Sequence, residues 1–140
     1  MNYLLDTCVL SEARKPDAAE ELITWLEQMS ESRLFLSAIV IGEIQQGIAS
    51  LAEGHKQRSL QAWLDEGLRA RFEGRILAID SEIALEWGEL MGNARKIGKP
   101  APVVDALIAA TAIRHNLTLV TRNTKDFEVF PVRLLNPWVN

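Results

Sequence analysis

Short apolar runs of strand character alternate with helical hydrophobic patterns along the whole chain, and this alternation restricts the fold more than any other property of the sequence. Strands are predicted at residues 2–5, 34–36, 76–79, 118–121 and 132–135. Between them lie helical patterns. Residues 17–29 place Leu22, Ile23, Leu26 and Met29 on one face, behind Pro16 and an N-cap at Asp17. Residues 38–51, capped by Ser37, turn Ile39, Ile44 and Ile48 inward. Residues 55–72 carry Leu60, Trp63, Leu64 and Leu68. Residues 81–97, capped by Asp80 or Ser81, carry Ile83, Leu85, Trp87 and Leu90. Residues 103–115 are apolar almost all round, as a central buried helix should be. The prolines of 98–102 close one helix and pre-set the next. Such alternation implies right-handed crossovers and an α/β sandwich with a mainly parallel central sheet flanked by helices. Ligands of open parallel sheets bind beyond the carboxyl ends of the strands. The Asp6-Thr7 pair, read as an exit loop, and residues 121–126 both belong on that edge.

The 140 residues fit one domain, 1–140, and 48% hydrophobic with 24% charged residues makes it globular. No apolar stretch approaches the roughly 18 residues that span a bilayer. Asp6 interrupts the first apolar run before it could act as a secretion signal. A lone Cys8 agrees with a reducing compartment, so the expected location is cytoplasmic, with no membrane contact. A net charge of −4 argues against nonspecific nucleic-acid binding. Arg95, Lys96 and Lys99 nevertheless precede Asp105, and Arg114, Arg122 and Lys125 follow it. These are either solvated surface charges or a basic rim once the acids are neutralised.

Asp6, Glu43, Asp105 and Asp126 stand in or beside apolar runs, where an ionised carboxylate must be paired, hydrogen-bonded, neutralised or bound to metal. Each has an ordinary alternative. Asp6 could be a loop cap, Glu43 could sit at an exposed helix margin, Asp105 could be a capped or paired helix-start acid, and Asp126 lies in a polar turn. Taken together, carboxylates on separate elements with no equally placed base suggest a divalent cation between them. Mg²⁺ prefers oxygen ligands and keeps several waters, so a few carboxylates suffice. Such a cation can activate water against a phosphodiester and stabilise the leaving oxygen.

The order of four segments resembles the PIN-domain ribonucleases, in particular the VapC toxins of bacterial toxin–antitoxin pairs and their FitB-like branch. The segments are Leu4-Leu5-Asp6-Thr7-Cys8-Val9-Leu10, Ser37-Ala38 through Glu43, Asp105-Ala106-Leu107-Ile108-Ala109-Ala110, and Thr121-Arg122-Asn123-Thr124-Lys125-Asp126-Phe127. Asn136-Pro137-Trp138 is similar to that branch too. The resemblance implies a PIN-like fold and a Mg²⁺-dependent endoribonuclease, with Mn²⁺ as an alternative ion. It implies hydrolysis of transfer RNA or other structured RNA by metal-activated water. It also implies a cognate VapB-like antitoxin, a homodimer and a higher toxin–antitoxin assembly. Asp6 and Asp105 match the core metal ligands and Glu43 the third acid. Asp126 takes the fourth role, with Asn123 as a neutral alternative. Thr7 and Thr121 match hydroxyl positions near metal or phosphate, and Cys8 stands where Asn is usual. Arg95, Lys96, Lys99 and Arg122 are the expected RNA-holding residues.

Other features have plainer readings. Cys8 is expected to be a packing thiol, His55 and His115 surface or helix-end residues, and Trp25, Trp63 and Trp87 core or interface residues. Trp138 is a candidate cover for a dimer seam. There is no Gly-rich phosphate loop, Ser-His-Asp set or zinc spacing. Two competing functions stand: a metal-dependent phosphatase, for which Cys8 replaces the second aspartate of the usual pair, and a catalytically silent PIN-like module whose acids receive a partner's arginine.

Overall fold

The structure, a computed structural model, describes residues 1–139; Asn140, the end of the expected domain span, lies outside the described residues. Five parallel strands form one sheet in the order β3-β2-β1-β4-β5. These are β1 (Tyr3–Leu5), β2 (Leu34–Ser37), β3 (Ile76–Leu77), β4 (Thr118–Val120) and β5 (Leu134–Leu135). Helices α1 (Thr7–Ala13), α2 (Glu20–Gln28), α3 (Ala38–Ala49), α4 (His55–Ala62), α5 (Arg69–Arg71), α6 (Ser81–Lys96) and α7 (Val103–Arg114) make the crossovers. Strand β1 lies at the centre, with Leu4 beside Leu119 on one flank and Phe35 on the other. Leu4, Leu36 and Leu119 are fully buried, as expected where both sheet faces are covered. The predicted α/β class and parallel sheet are therefore correct.

Helix α7 is the central helix that its composition predicted. Ala106, Ile108, Ala109, Ala110, Thr111 and Ala112 are all buried, and Thr111 Oγ1 satisfies itself by donating to Leu107 O at 2.8 Å. Ser37 Oγ accepts from Ile39 N at 3.3 Å and caps α3. Asp80 Oδ1 accepts from Ile83 N at 2.9 Å and is the cap of α6, rather than Ser81. Gly98, at φ +71°, turns the chain out of α6, and Lys99 N donates to Ala94 O at 2.9 Å.

Several local expectations need correction. Asp6-Thr7 is not an exit loop: Asp6 caps α1, its Oδ1 accepting from Thr7 N at 2.8 Å. Thr, Cys and Val are modest helix formers, and burial of Val9 and Leu10 stabilises what propensity alone would not. Asp17 does not cap α2, which starts three residues later than read, behind Ala19. The carboxylate that accepts Ala19 N at 2.9 Å is Glu12 Oε2, reaching across from α1. Leu85 is 67% exposed and not part of the core face of α6. The strand expected at 76–79 ends at Leu77, leaving Ile79 exposed. The 55–72 pattern is one continuous helical path, but it passes through a π-helical turn at Trp63–Leu68 between α4 and α5.

Candidate active site

Chain direction brings the acids to one edge. Asp6 follows β1 directly, and its N–H donates to Val120 O at 3.0 Å, so it sits where β1 and β4 both end. Helix α3 begins as β2 ends and carries Glu43 in its second turn. Helix α7 leads back into β4, so its first turn, which holds Asp105, starts on the carboxyl edge. Asp126 lies in a 3-10 turn (Thr124–Phe127) just beyond β4.

Asp6 is 7% exposed and firmly held. Its Oδ2 accepts from Thr121 Oγ1 at 2.7 Å, and Thr121, fully buried, in turn accepts from Asn123 N at 3.0 Å. The Cys8 thiol donates to the same Oδ2 at 3.5 Å and accepts from Arg122 N at 3.5 Å. Cys8 is thus a contact of the acid, not only a packing thiol. Burial, followed by the charge of Asp6, raises its pKa. Reading residues 6–7 as loop hid this, because only a helix starting at Thr7 folds position 8 back over Asp6. Thr7 Oγ1 donates to Glu43 Oε1 at 2.7 Å. A Thr121→Val variant removes the strong donor to a buried carboxylate. It should cost about 1–3 kcal/mol, read from urea unfolding, while a Thr121→Ser variant should stay close to the parent.

Asp105 is half-buried and, among the described residues, makes no side-chain hydrogen bond that would compensate its charge. Desolvation, then the negative fields of Asp6, Asp126 and Glu43, push its pKa up to about 6. The ion pairs among the described residues are Lys15–Glu12, Arg69–Asp65, Arg71–Glu31 and Arg114–Glu82, and none involves these four acids. The four share a field, yet no three of the described His, Cys, Asp or Glu side chains converge tightly enough to make a ready cage. Both observations are consistent: uncompensated like charges stand apart, and a hard cation that retains water does not need every carboxylate in direct contact. The donor set is all oxygen apart from the Cys8 thiol, which fits a hard divalent cation rather than a thiolate-loving metal. Asp6, Glu43, Asp105 and Asp126 are the residues that could hold it. Asn123 is exposed and contributes its backbone N–H, whereas Asp126 contributes charge.

The expected basic residues disperse. Arg95 and Lys96 are exposed in the last turn of α6. The Arg122 guanidinium lies 5.5 Å from the centre of the Trp138 ring. Lys99 lines a groove of about 340 Å³ together with Asp105, Asp126 and Lys125. His55 opens α4 and His115 closes α7, away from the acids in sequence and in role. Trp25 packs edge-on against Tyr3 at 5.1 Å, and Trp63 lies under Arg14 at 5.8 Å, in keeping with contact rather than chemistry. A second groove, of about 180 Å³, runs past Glu43 and Thr7 to Arg14 and Trp63.

Fold and site together define a parallel α/β domain with an acidic, oxygen-rich centre on its carboxyl edge. The chain belongs to the PIN-domain family, whose PIN domain matches residues 3–131. It is 37% identical to the toxin FitB of Neisseria gonorrhoeae over 96% of this chain and 97% of that one. It is 32% identical to the VapC ribonuclease Y4jK of Sinorhizobium fredii, over 96% of each. The solved structure of FitAB bound to an IR36 DNA fragment superposes with a TM-score of 0.91 at 35% identity, covering 99% of this chain and 96% of that one. Members of the family that are ribonucleases generally depend on a divalent metal, in keeping with the donor set. Among the described residues no helix is long and apolar enough to cross a membrane.

Proposed function

We propose that this protein is the endoribonuclease toxin of a toxin–antitoxin pair, hydrolysing RNA phosphodiester bonds with Mg²⁺ held by Asp6, Glu43, Asp105 and Asp126. The observation that carries the reading is the acidic cluster on the carboxyl edge: Asp105 is half-buried, feels the charges of Asp6, Asp126 and Glu43, and none of the four acids is ion-paired among the described residues. Bound there, a divalent cation supplies Lewis acidity at a phosphate oxygen and lowers the pKa of the attacking water. The chain's own residues do the rest. Thr121 and Cys8 fix Asp6 Oδ2, which leaves Oδ1, held only by Thr7 N, as the less encumbered oxygen. Thr7 orients Glu43 in the same way. Asp105 and Asp126 face the groove through which a strand can pass. The relatives' names, toxin and ribonuclease, favour this activity. The FitAB assembly favours a cognate antitoxin as partner, and we extend the reading to a cytoplasmic homodimer.

Incubation of the purified protein with bulk transfer RNA and Mg²⁺ should give endonucleolytic fragments. EDTA should stop the reaction and added Mg²⁺ or Mn²⁺ should restore it. A phosphomonoester such as p-nitrophenyl phosphate should stay intact. Intact RNA alongside a hydrolysed monoester would replace this reading with the phosphatase one. That alternative lacks its second aspartate, since Cys8 stands there and its thiol is turned onto Asp6.

A further inference from the structure

The groove beside Asp105 is more than an approach to the acids. Its lining is Lys99, Pro100, Ala101, Pro102, Asp105, Lys125, Asp126 and Val129, drawn from two separated stretches of chain. Lys99 comes from the loop between α6 and α7, fixed by its own backbone bond to Ala94 O at 2.9 Å. Lys125 comes from the 3-10 turn after β4, adjacent to Asp126. Both lysines are exposed, and neither side chain has a hydrogen bond or ion pair among the described residues.

Other cations are engaged or lie outside this groove: Arg95 and Lys96 are exposed in the last turn of α6 and do not line it. Arg122 lies over Trp138 and its charge reaches Glu12; Arg14 lies over Trp63. Arg114, which ends α7, and Arg133, just before β5, lie toward the opposite edge of the sheet, where Arg114 pairs with Glu82 and Arg133 donates to Asn116. Lys99 and Lys125 are therefore the basic side chains that line the groove of Asp105 and Asp126, with no salt bridge of their own among the described residues. Two positive heads beside two carboxylates suit a polyanion whose scissile phosphate lies at the acids and whose neighbouring phosphate lies at the lysines. The prolines and Val129 add an apolar wall against which an unstacked base can rest.

We infer that Lys99 and Lys125 form a phosphate subsite for the nucleotide next to the cleaved bond. This rests on the ribonuclease reading and sharpens it: the binding residues are Lys99 and Lys125, not Arg95, Lys96 or Arg122. Contacts away from the reacting bond that are equal in ground and transition states change KM and leave kcat in place.

The test is steady-state cleavage of a hairpin RNA with a single-stranded loop, in Mg²⁺, across a range of NaCl. In Lys99→Gln/Lys125→Gln, KM should rise roughly tenfold or more with kcat within about threefold. The slope of log(kcat/KM) against log[salt] should become shallower by about 1.4, the value for two phosphates of a single strand. Lys99→Arg/Lys125→Arg should restore both values, and Arg95→Gln/Lys96→Gln should change neither. A circular-dichroism melt within about 2 °C of the parent would show that the Gln variant is folded. An unchanged salt slope, or a fall in kcat at constant KM, would overturn the subsite while leaving the nuclease standing. A parent protein that cleaves no RNA would overturn the nuclease and the subsite with it.

Discussion

Replacing Asp6 by Asn lowers RNA cleavage by roughly 10³-fold or more and leaves the fold in place. The loss is large because Asp6 is the most buried of the four acids and sits at the junction of two strand ends. Polarisation of a phosphate is worth several kcal/mol, and each 1.36 kcal/mol is tenfold in rate. The fold survives because Asn keeps the shape and caps helices as well as Asp does, so the bond from Thr7 N to Oδ1 remains. What changes is the Oδ2 side, where an amide NH₂ would face the hydroxyl of Thr121 and the thiol of Cys8. The same substitution should remove the stabilisation that Mg²⁺ gives the parent. A ligand at 100 times its dissociation constant stabilises by about 2.7 kcal/mol, which is several degrees of melting temperature for a domain of this size. Thermal melts of both proteins with and without Mg²⁺, beside the cleavage assay, test both halves. A variant that cleaves within about threefold of the parent, or that keeps the Mg²⁺ shift, removes Asp6 from the machinery.

The sequence carried the sheet because burial on both faces leaves a compositional trace. Leu4-Leu5 and Leu119-Val120 are continuous apolar runs bounded by polar residues, and both became central strands. It carried the convergence of Asp6 and Asp126 as well, since residues that follow parallel strands share an edge. Asp105 and Glu43 needed only the direction of their helices. The helix α1 was not legible. Seven residues are too few to show a period, and their helicity depends on burying Val9 and Leu10 under the sheet. That omission hid two local contacts, the Cys8 thiol on Asp6 and the Glu12 carboxylate on Ala19 N. Nor could spacing say which lysines share a groove with the acids. Lys99 and Lys125 are separated along the chain by all of α7 and β4, and only packing of the 98–102 loop near the 124–127 turn brings them together. Charge counted along the sequence gave equal weight to Arg95, Lys96, Lys99 and Arg122, and of these only Lys99 lines the groove beside Asp105.

Asp105→Asn should inactivate the protein and at the same time stabilise it in the absence of metal. The folded carboxyl titrates at about 6 against an ordinary 3.8, because burial and three neighbouring acids oppose its charge. The folded chain therefore holds that proton more tightly than the unfolded chain does. Between about pH 4 and 6 the native state binds more protons, so stability falls as pH rises through that window and the full penalty is present above it. Water reaches a half-buried group, so the penalty should be about 1 kcal/mol rather than the roughly 3 kcal/mol of an unscreened shift. Urea unfolding in EDTA at pH 4, 5, 6 and 7 should show the parent losing stability relative to Asp105→Asn across the window, and the two curves running parallel above it. Parallel curves throughout would mean that neither burial nor the neighbouring acids raise the pKa of Asp105. The same proton competes with a cation for the carboxylate, so apparent Mg²⁺ affinity should fall toward tenfold per pH unit once pH drops below about 6. Stability and binding thus move in opposite directions across one titration. A carboxylate with only a scaffold role gains nothing from that cost, whereas under the proposed reading a bound cation would offset it.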